Sequence, residues 1–114
     1  MTSEAKKRLF DVLEACRAVG RFVQGKDFES YQNDELLRAA VERKLEVIGE
    51  AFTKLEAADV ETAEEFPDLR KIVGLRNRII HGYDSVDEEI IWDVVENKLP
   101  ALQQQVEEFL NHAA

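Results

Sequence analysis

The fold is decided by residues 37–55, which read LRAAVERKLEVIGEAFTKL. Apolar side chains recur in this stretch at spacings of three and four residues, the period that places them on one side of an α-helix. The stretch contains no proline and a single glycine, so nothing in it stops a helix. Its apolar stripe is wide enough to cover two neighbours. We therefore expect a central helix, capped near Asn33, with other helices packed against it.

The same spacing predicts helices on either side of this segment. The first helix begins at Ser3 and ends before Gly25, and a turn-like stretch connects it to the central helix. Another helix follows Pro67, a residue suited to the first turn of a helix. This helix ends at Gly82, because glycine is the commonest residue just past a helix end.

The last helix opens at residues 85–88, whose spacing has the form of a capping box. Pro100 lies inside it and should kink or split it. Trp92 falls in its apolar stripe, which favours a core or dimer contact over base stacking. The sequence thus predicts one all-α domain over residues 1–114, an up-and-down bundle of four to five helices.

Composition limits what the chain can be. Its 114 residues are 45% hydrophobic, which suits one domain with a single core and leaves no room for a nucleotide-binding sheet plus a second lobe. No apolar run is long enough to span a bilayer, and the N-terminal segment lacks the apolar core of a secretory signal, so we expect a cytoplasmic protein. The single cysteine, Cys16, lies in an apolar stripe and is interpreted as a buried, reduced thiol.

The charge is unevenly distributed along the chain. A net charge of −9 argues against a protein that coats nucleic acid through bulk attraction. Residues 70–78 nevertheless contain four cations and no acid, while acids crowd before and after them. Most of these acids are explained by helix starts, where a carboxylate complements the helix dipole. The basic segment predicts RNA contacts by Arg70, Lys71 and Arg78.

Residues 76–83, which read RNRIIHGY, place a guanidinium, a carboxamide, an imidazole and a phenol within eight positions. Asn77 precedes His81 by four residues on the same helix face, so its amide can orient the imidazole. Arg76 points about 140° away from His81 around an ideal helix. The set suits metal-independent RNA cleavage, in which His81 transfers protons and Arg76 stabilises the charge that develops on the phosphate.

A single histidine at this site leaves one proton-transfer role unfilled. A symmetric homodimer would supply a second His81 across its axis, which predicts a composite site at an isologous interface. The other histidine, His112, lies near the C-terminal end and is interpreted as exposed and inert. Because His81 has no Cys or His neighbour at ligand spacing, we expect neither a metal nor a cofactor.

A purely structural interpretation competes with the catalytic one. Arg76 and Arg78 can be solvated helix residues, with His81 a helix-end residue and Tyr83 packed against the bundle. The spacing of arginine, histidine and tyrosine is uncommon by chance in a chain of this composition, which favours the catalytic interpretation. An acidic line on the central helix meets either a basic partner or water; it comprises Glu42, Glu46 and Glu50.

Two segments carry a resemblance to a known family. Residues 76–83 are similar to the Arg-x4-His-x-Tyr signature of HepT-like proteins, which belong to the HEPN (higher eukaryotes and prokaryotes nucleotide-binding) superfamily. Residues 40–51, which read AVERKLEVIGEA, resemble the second helix of that family. The order and length of the predicted helices match across nearly the whole chain.

The resemblance implies a dimeric ribonuclease toxin of a type VII toxin-antitoxin module, paired with a minimal nucleotidyltransferase (MNT) antitoxin. Carried over by position, Arg76 and His81 become the catalytic pair, and Asn77 is the polar residue that often follows the arginine. Tyr83 becomes the regulatory site, because the partner enzyme can transfer AMP onto that tyrosine in this family. A bulky anionic nucleotide at Tyr83 would occupy the phosphate path and pair with Arg76.

Two other functions stay open at this point. The chain can be a non-catalytic nucleotide-binding or adaptor subunit that presents substrate to the nucleotidyltransferase. It can also be a structural dimeric bundle in which Arg76, His81 and Tyr83 have no chemical role.

Overall fold

The computed structural model describes residues 1–81 and 87–112, with the main chain alone described for His81. In these two ranges the chain is helical with short connections and contains no β-strand, which confirms the predicted all-α class. The α-helices are α1 (Ser3–Phe22), α2 (Phe28–Gln32), α3 (Glu35–Ala58), α4 (Val60–Ala63), α5 (Leu69–His81), α6 (Glu88–Asp93) and α7 (Leu99–His112), with a π-helical turn, Val94–Lys98, joining the last two.

The helix starts are fixed by polar side chains that accept hydrogen bonds from otherwise unpaired N–H groups. Thr2 Oγ1 accepts from the N–H of Ala5 at 3.0 Å, at the start of α1. Asp34 Oδ1 accepts from Leu37 at 3.0 Å, at the start of α3. Three further aspartates cap α2, α4 and α6 in the same way: Asp27, Asp59 and Asp87. Several acids of this acidic chain therefore lie at helix starts, as the sequence predicts.

Helix α3 is the centre of the bundle. It packs against α1 on one side and α5 on the other, while α7 packs against α1. The N–H of Thr2 donates to Asp59 at 3.2 Å, so α1 starts where α3 ends. Arg70, near the start of α5, pairs with Glu56 near the end of α3 at 3.2 Å. Both neighbours thus run antiparallel to α3, which places the C-terminal end of α5 beside the middle of α3.

Every long helix contributes buried apolar side chains to the core, among them Leu9, Phe52, Ile79 and Val106. The ring centroids of Tyr31 and Trp92 lie 5.2 Å apart, and Trp92 is only 9% exposed. Trp92 is therefore a core residue and not a surface for base stacking. Cys16 is buried and free, as predicted, and burial, with a smaller effect from nearby Glu107, raises the pKa of its thiol to about 12. A thiol that stays protonated at neutral pH has no nucleophilic role.

Several predicted boundaries need correction. The cap of the central helix is Asp34 and not Asn33, and α5 begins at Leu69, so Pro67 precedes the helix instead of lying in its first turn. The N-cap of α6 is Asp87, two residues later than the capping box starting at residue 85 implies. The connection predicted to be turn-like contains the short helix α2, and a second short helix, α4, lies between α3 and α5. Gly82, the predicted end of α5, lies outside the described residues.

The predicted break at Pro100 takes the form of a π-helical turn. Proline has no N–H to donate, and its ring crowds the carbonyl four residues earlier, which is that of Glu96. The chain relaxes in the preceding turn, where the N–H of Leu99 donates to the carbonyl of Val94, five residues back. This wider turn shifts the side chains around the helix axis compared with an unbroken helix.

Helices α3 and α5 approach each other closely at Gly49. A Cβ atom built on Gly49 would lie 2.7 Å from Arg76 Cγ and closer still to Arg76 Cβ, nearer than real Cβ contacts come. The Arg76 stem therefore lies directly on the α3 backbone, in a space that only glycine leaves open. In the described part of the chain, no helix is both long and apolar enough to cross a membrane.

Replacing Gly49 should destabilise the fold, because α3 and α5 cannot move apart to make room for a side chain without losing their core contacts. We expect Gly49→Ala to lower the free energy of unfolding by about 1–3 kcal/mol, the range for overpacking a filled site. The control is Gly20→Ala in α1, where an added methyl meets nothing within 4 Å. Removing that helical glycine should stabilise the protein by up to about 1 kcal/mol. Urea unfolding followed by circular dichroism measures both, and a Gly49→Ala protein as stable as Gly20→Ala would contradict the close contact.

Candidate active site

Arg76 is held at two points. Its aliphatic stem packs on Gly49 of α3, and its Nη1 donates to Oδ1 of Asn77 at 3.0 Å. These contacts restrict a side chain that otherwise has four rotatable bonds and considerable rotamer entropy. The guanidinium of Arg76 is therefore pre-positioned, which lowers the entropy cost of binding an anion.

No carboxylate among the described residues forms an ion pair with Arg76, although most other arginines have a carboxylate partner. Its Nε is buried and has no hydrogen-bond partner within residues 1–80 and 87–112. A buried donor without a partner is costly. The two Nη atoms carry four N–H donors, of which Asn77 accepts one, so the guanidinium can still donate to a phosphate through its terminal nitrogens.

Of the remaining signature residues, His81 and Tyr83, the structure describes only the main chain of His81. Helix α5 continues to His81, five residues after Arg76, but the His81 side chain lies outside the described residues. Tyr83 lies outside them as well. The Asn77 amide was expected to orient the imidazole, and that expectation stays a prediction. The structure adds that Asn77 Oδ1 is already taken by Arg76, which leaves the amide NH2 as the group that can face His81.

The predicted RNA-binding cations do not form one cluster. Arg70 turns towards α3, where it pairs with Glu56. Lys71 is 87% exposed at its side chain and has Asp68 at 4.0 Å. Arg78 is exposed and lies seven residues after Lys71, so these two share one side of α5. The structure therefore groups Lys71 with Arg78 and separates Arg70 from both.

The acidic line on α3 is largely paired within its own helix. Glu46 pairs with Arg43 at 3.3 Å, and Glu50 pairs with Lys54 at 3.4 Å. Glu42 is half-buried, and burial raises the pKa of its carboxyl while Arg38 opposes the shift. Glu42 precedes Gly49 by seven residues and so lies on the same side of α3, towards the end of α5.

Two residues of functional interest were not identified from the sequence. Gly49 positions Arg76, and the available signal was an isolated glycine inside a strong helical pattern, which often marks a close packing contact. Lys98 lines the same groove as Lys71, and no local sequence pattern could show this, because the position of Lys98 depends on the π-helical turn. In the described ranges, no group of three His, Cys, Asp or Glu side chains has a geometry suited to a metal ion.

Comparisons with known proteins agree with the signature. The family described as Ribonuclease HepT-like matches residues 12–109. A Methanocaldococcus jannaschii protein named as a candidate RNase is 34% identical over 106 residues, which cover 91% of this chain and 94% of that protein. A candidate RNase of Caldanaerobacter subterraneus is 35% identical over 99 residues, covering 87% and 88%. A Thermococcus cleftensis protein named as a probable ribonuclease HepT is 31% identical over 107 residues, covering 94% and 96%.

No solved structure gives a significant match. The family match covers far more than half of the chain, and the relatives align over nearly their whole length, so the likeness is not confined to the eight-residue signature. An all-α bundle whose fifth helix carries Arg76, Asn77 and His81 in order is the architecture that this likeness implies. The chain belongs to the HepT-like ribonuclease family of the HEPN superfamily.

Proposed function

We propose that the protein is a metal-independent endoribonuclease, the toxin of a HepT/MNT (type VII) toxin-antitoxin system acting in the cytoplasm. One observation carries the proposal: the Arg76 guanidinium is fixed by Gly49 and Asn77, lacks a carboxylate partner among the described residues, and lies five residues before His81 on the same helix. The names of the relatives, which describe ribonucleases, support this class of reaction.

The proposed reaction needs no group beyond the protein and the RNA. A base removes the proton of the 2′-hydroxyl, and the 2′-oxygen forms a bond to the adjacent phosphorus. The bond from phosphorus to the 5′-oxygen breaks, and an acid protonates that oxygen. His81 performs the proton transfers, since imidazole titrates near neutral pH. Arg76 stabilises the charge on the pentacoordinate phosphorus through its two-pronged donor geometry.

Asn77 would link the two catalytic residues. Its carbonyl oxygen accepts from Arg76. Its NH2 group is then available to the imidazole four residues later in the helix. A single amide would then determine both the tautomer of His81 and the orientation of the Arg76 guanidinium. Asn77 is therefore proposed as an orienting residue.

A homodimer would complete the site with a second His81. The flank of α5 that carries Asn77 also presents Val73, which is half-buried, and Ile80, which is 38% exposed. Val73 and Ile80 are seven residues apart, about two turns, and therefore lie on the same side of the helix. An apolar strip beside the candidate site is suited to burial against a second copy, related by a two-fold axis.

We expect His81→Ala and Arg76→Ala each to reduce cleavage of single-stranded RNA by roughly 10²–10⁴-fold, the usual worth of a general acid-base or a transition-state charge contact. Gel-based single-turnover cleavage measures the rates. The matched controls are His112→Ala and Arg21→Ala, because both residues are exposed and lie on other helices.

Activity per chain should also fall on dilution as sedimentation shows the dimer dissociating, since each site needs both copies. Wild-type protein that cleaves no RNA, or a His81→Ala protein as active as His112→Ala, would refute the ribonuclease. Nucleotide binding without cleavage would instead favour an adaptor subunit of the nucleotidyltransferase.

Tyr83 is proposed as the site at which the MNT antitoxin neutralises the toxin. The phenol oxygen attacks the α-phosphorus of ATP, pyrophosphate leaves, and the phenol proton passes to water. The bound AMP then places a phosphate two residues from His81, where it competes with RNA for Arg76.

After co-expression with the nucleotidyltransferase, mass spectrometry should find AMP on Tyr83 and cleavage activity should be lost. Tyr31 is an internal control, because it is fully buried and should stay unmodified. Tyr83→Phe protein should escape the modification and stay active. A neutralised complex with unmodified Tyr83 would show that inhibition occurs by binding instead.

A further inference from the structure

A groove of about 250 Å³ lies between α5 and the segment formed by the π-helical turn and α7. It exists because α5 packs on α3 while α7 packs on α1, which leaves a gap between their outer sides. Ile72 and Leu75 of α5 and Leu102 of α7 form its apolar floor. The volume is below the roughly 300–1,000 Å³ of pockets that hold drug-sized ligands, and it suits a single planar ring.

The rim of the groove is cationic. Lys71 lies on the α5 side and Lys98 on the opposite side. Among the described residues, Asp68 is the one carboxylate that lines the groove, and it is 4.0 Å from the Lys71 ammonium. None of the ion pairs in the described ranges includes Lys98. Two cations against one acid is a local reversal of sign in a chain of net charge −9, and it favours an anionic ligand.

Two carboxamides complete the rim. Asn97 donates from Nδ2 to Asp93 Oδ1 at 2.7 Å, and Gln105 is exposed on α7. Amides carry both donors and acceptors and can therefore pair with the edge of a nucleobase. Asn97 and Lys98 both belong to the π-helical turn ahead of Pro100, so the wider turn determines where they lie along the rim. Turns of this kind occur frequently at functional sites.

From Lys71, at the rim of the groove, a track of four residues runs along one side of α5. Lys71, Gly74, Arg78 and His81 follow one another at spacings of three, four and three residues, which places them along one broad side of the helix. Lys71 and His81 are ten residues apart, about 15 Å along the axis. Gly74 leaves the track bare, since an added Cβ would meet nothing within 4 Å.

We propose that this groove binds one nucleotide of single-stranded RNA beyond the two that flank the cleaved bond, with the base on the Ile72–Leu75–Leu102 floor and the phosphate against Lys71 and Lys98. The proposal rests on the ribonuclease function and adds the location of a substrate subsite. A second copy of the chain is a poorer occupant, because it would bury two lysines for which the groove supplies a single acid.

The test compares three variants with a fluorescent, unstructured 12-nucleotide RNA. Lys98→Gln should weaken binding about two- to fivefold, the worth of an exposed charge contact. It should also reduce the slope of log K against log salt by about 0.7, the value for one phosphate contact on a single strand. Ala101→Phe, which fills the groove without changing charge, should raise KM and leave kcat unchanged. Lys7→Gln on α1 is the charge-matched control and should behave as wild type.

A dinucleotide substrate is too short to reach the groove from the cleaved bond, so its cleavage should be unaffected by all three variants. The subsite is refuted if wild type cleaves RNA while Lys98→Gln and Ala101→Phe match Lys7→Gln on the longer substrate. It is also refuted if Ala101→Phe dissociates the dimer in sedimentation, because the groove is then an interface. Wild-type protein that neither binds nor cleaves RNA refutes the ribonuclease function itself, and the subsite with it.

Discussion

The contact between Gly49 and Arg76 is the constraint on which the candidate site depends. Helices α3 and α5 come so close there that a methyl group on residue 49 has no space, and the Arg76 stem fills the gap. Because α3 is also held by α1 and by its Asp34 cap, the position of the Arg76 backbone is set by the whole core. His81 follows Arg76 on the same helix, so the contact at Gly49 also determines where the His81 backbone lies.

The same contact explains how an acidic protein can present a cation to RNA. A net charge of −9 is dispersed over helix caps and over side-chain pairs such as Glu46 with Arg43. Within the described part of the chain, Arg76 belongs to none of these pairs and donates to a neutral amide instead. A guanidinium with a neutral partner keeps its full attraction for phosphate, whereas one paired with a carboxylate would first have to break that pair. Binding is thus expected to be local and not driven by the overall field.

The long helices could be predicted from the sequence because a period of three and four residues is a strong signal over twenty positions. The helices α2 and α4 could not, since four or five residues are too few to show a period. Pro100 predicts an interruption of the last helix. Whether the helix kinks, splits or forms a π-helical turn depends on the packing around Val94 and Leu99.

The candidate site was predictable in its residue types and not in its geometry. The spacing of Arg76, Asn77 and His81 suggests the chemistry, but a helical wheel does not show that Arg76 donates to its own neighbour. Nor does it show which residue of α3 faces Arg76, because that depends on how α5 is placed along α3. The separation of Arg70 from Lys71 has the same origin: adjacent residues point about 100° apart, and only the neighbouring helices decide what each one meets.

The most direct measurement is the rate of RNA cleavage by Gly49→Ala protein under conditions where circular dichroism shows it to be folded. If the close approach positions Arg76, kcat should fall roughly 10- to 100-fold, the cost of a misplaced catalytic group, while KM stays nearly constant. Gly20→Ala, with the same change in open space, should keep the wild-type rate. A folded Gly49→Ala protein that cleaves RNA as fast as Gly20→Ala would contradict the account.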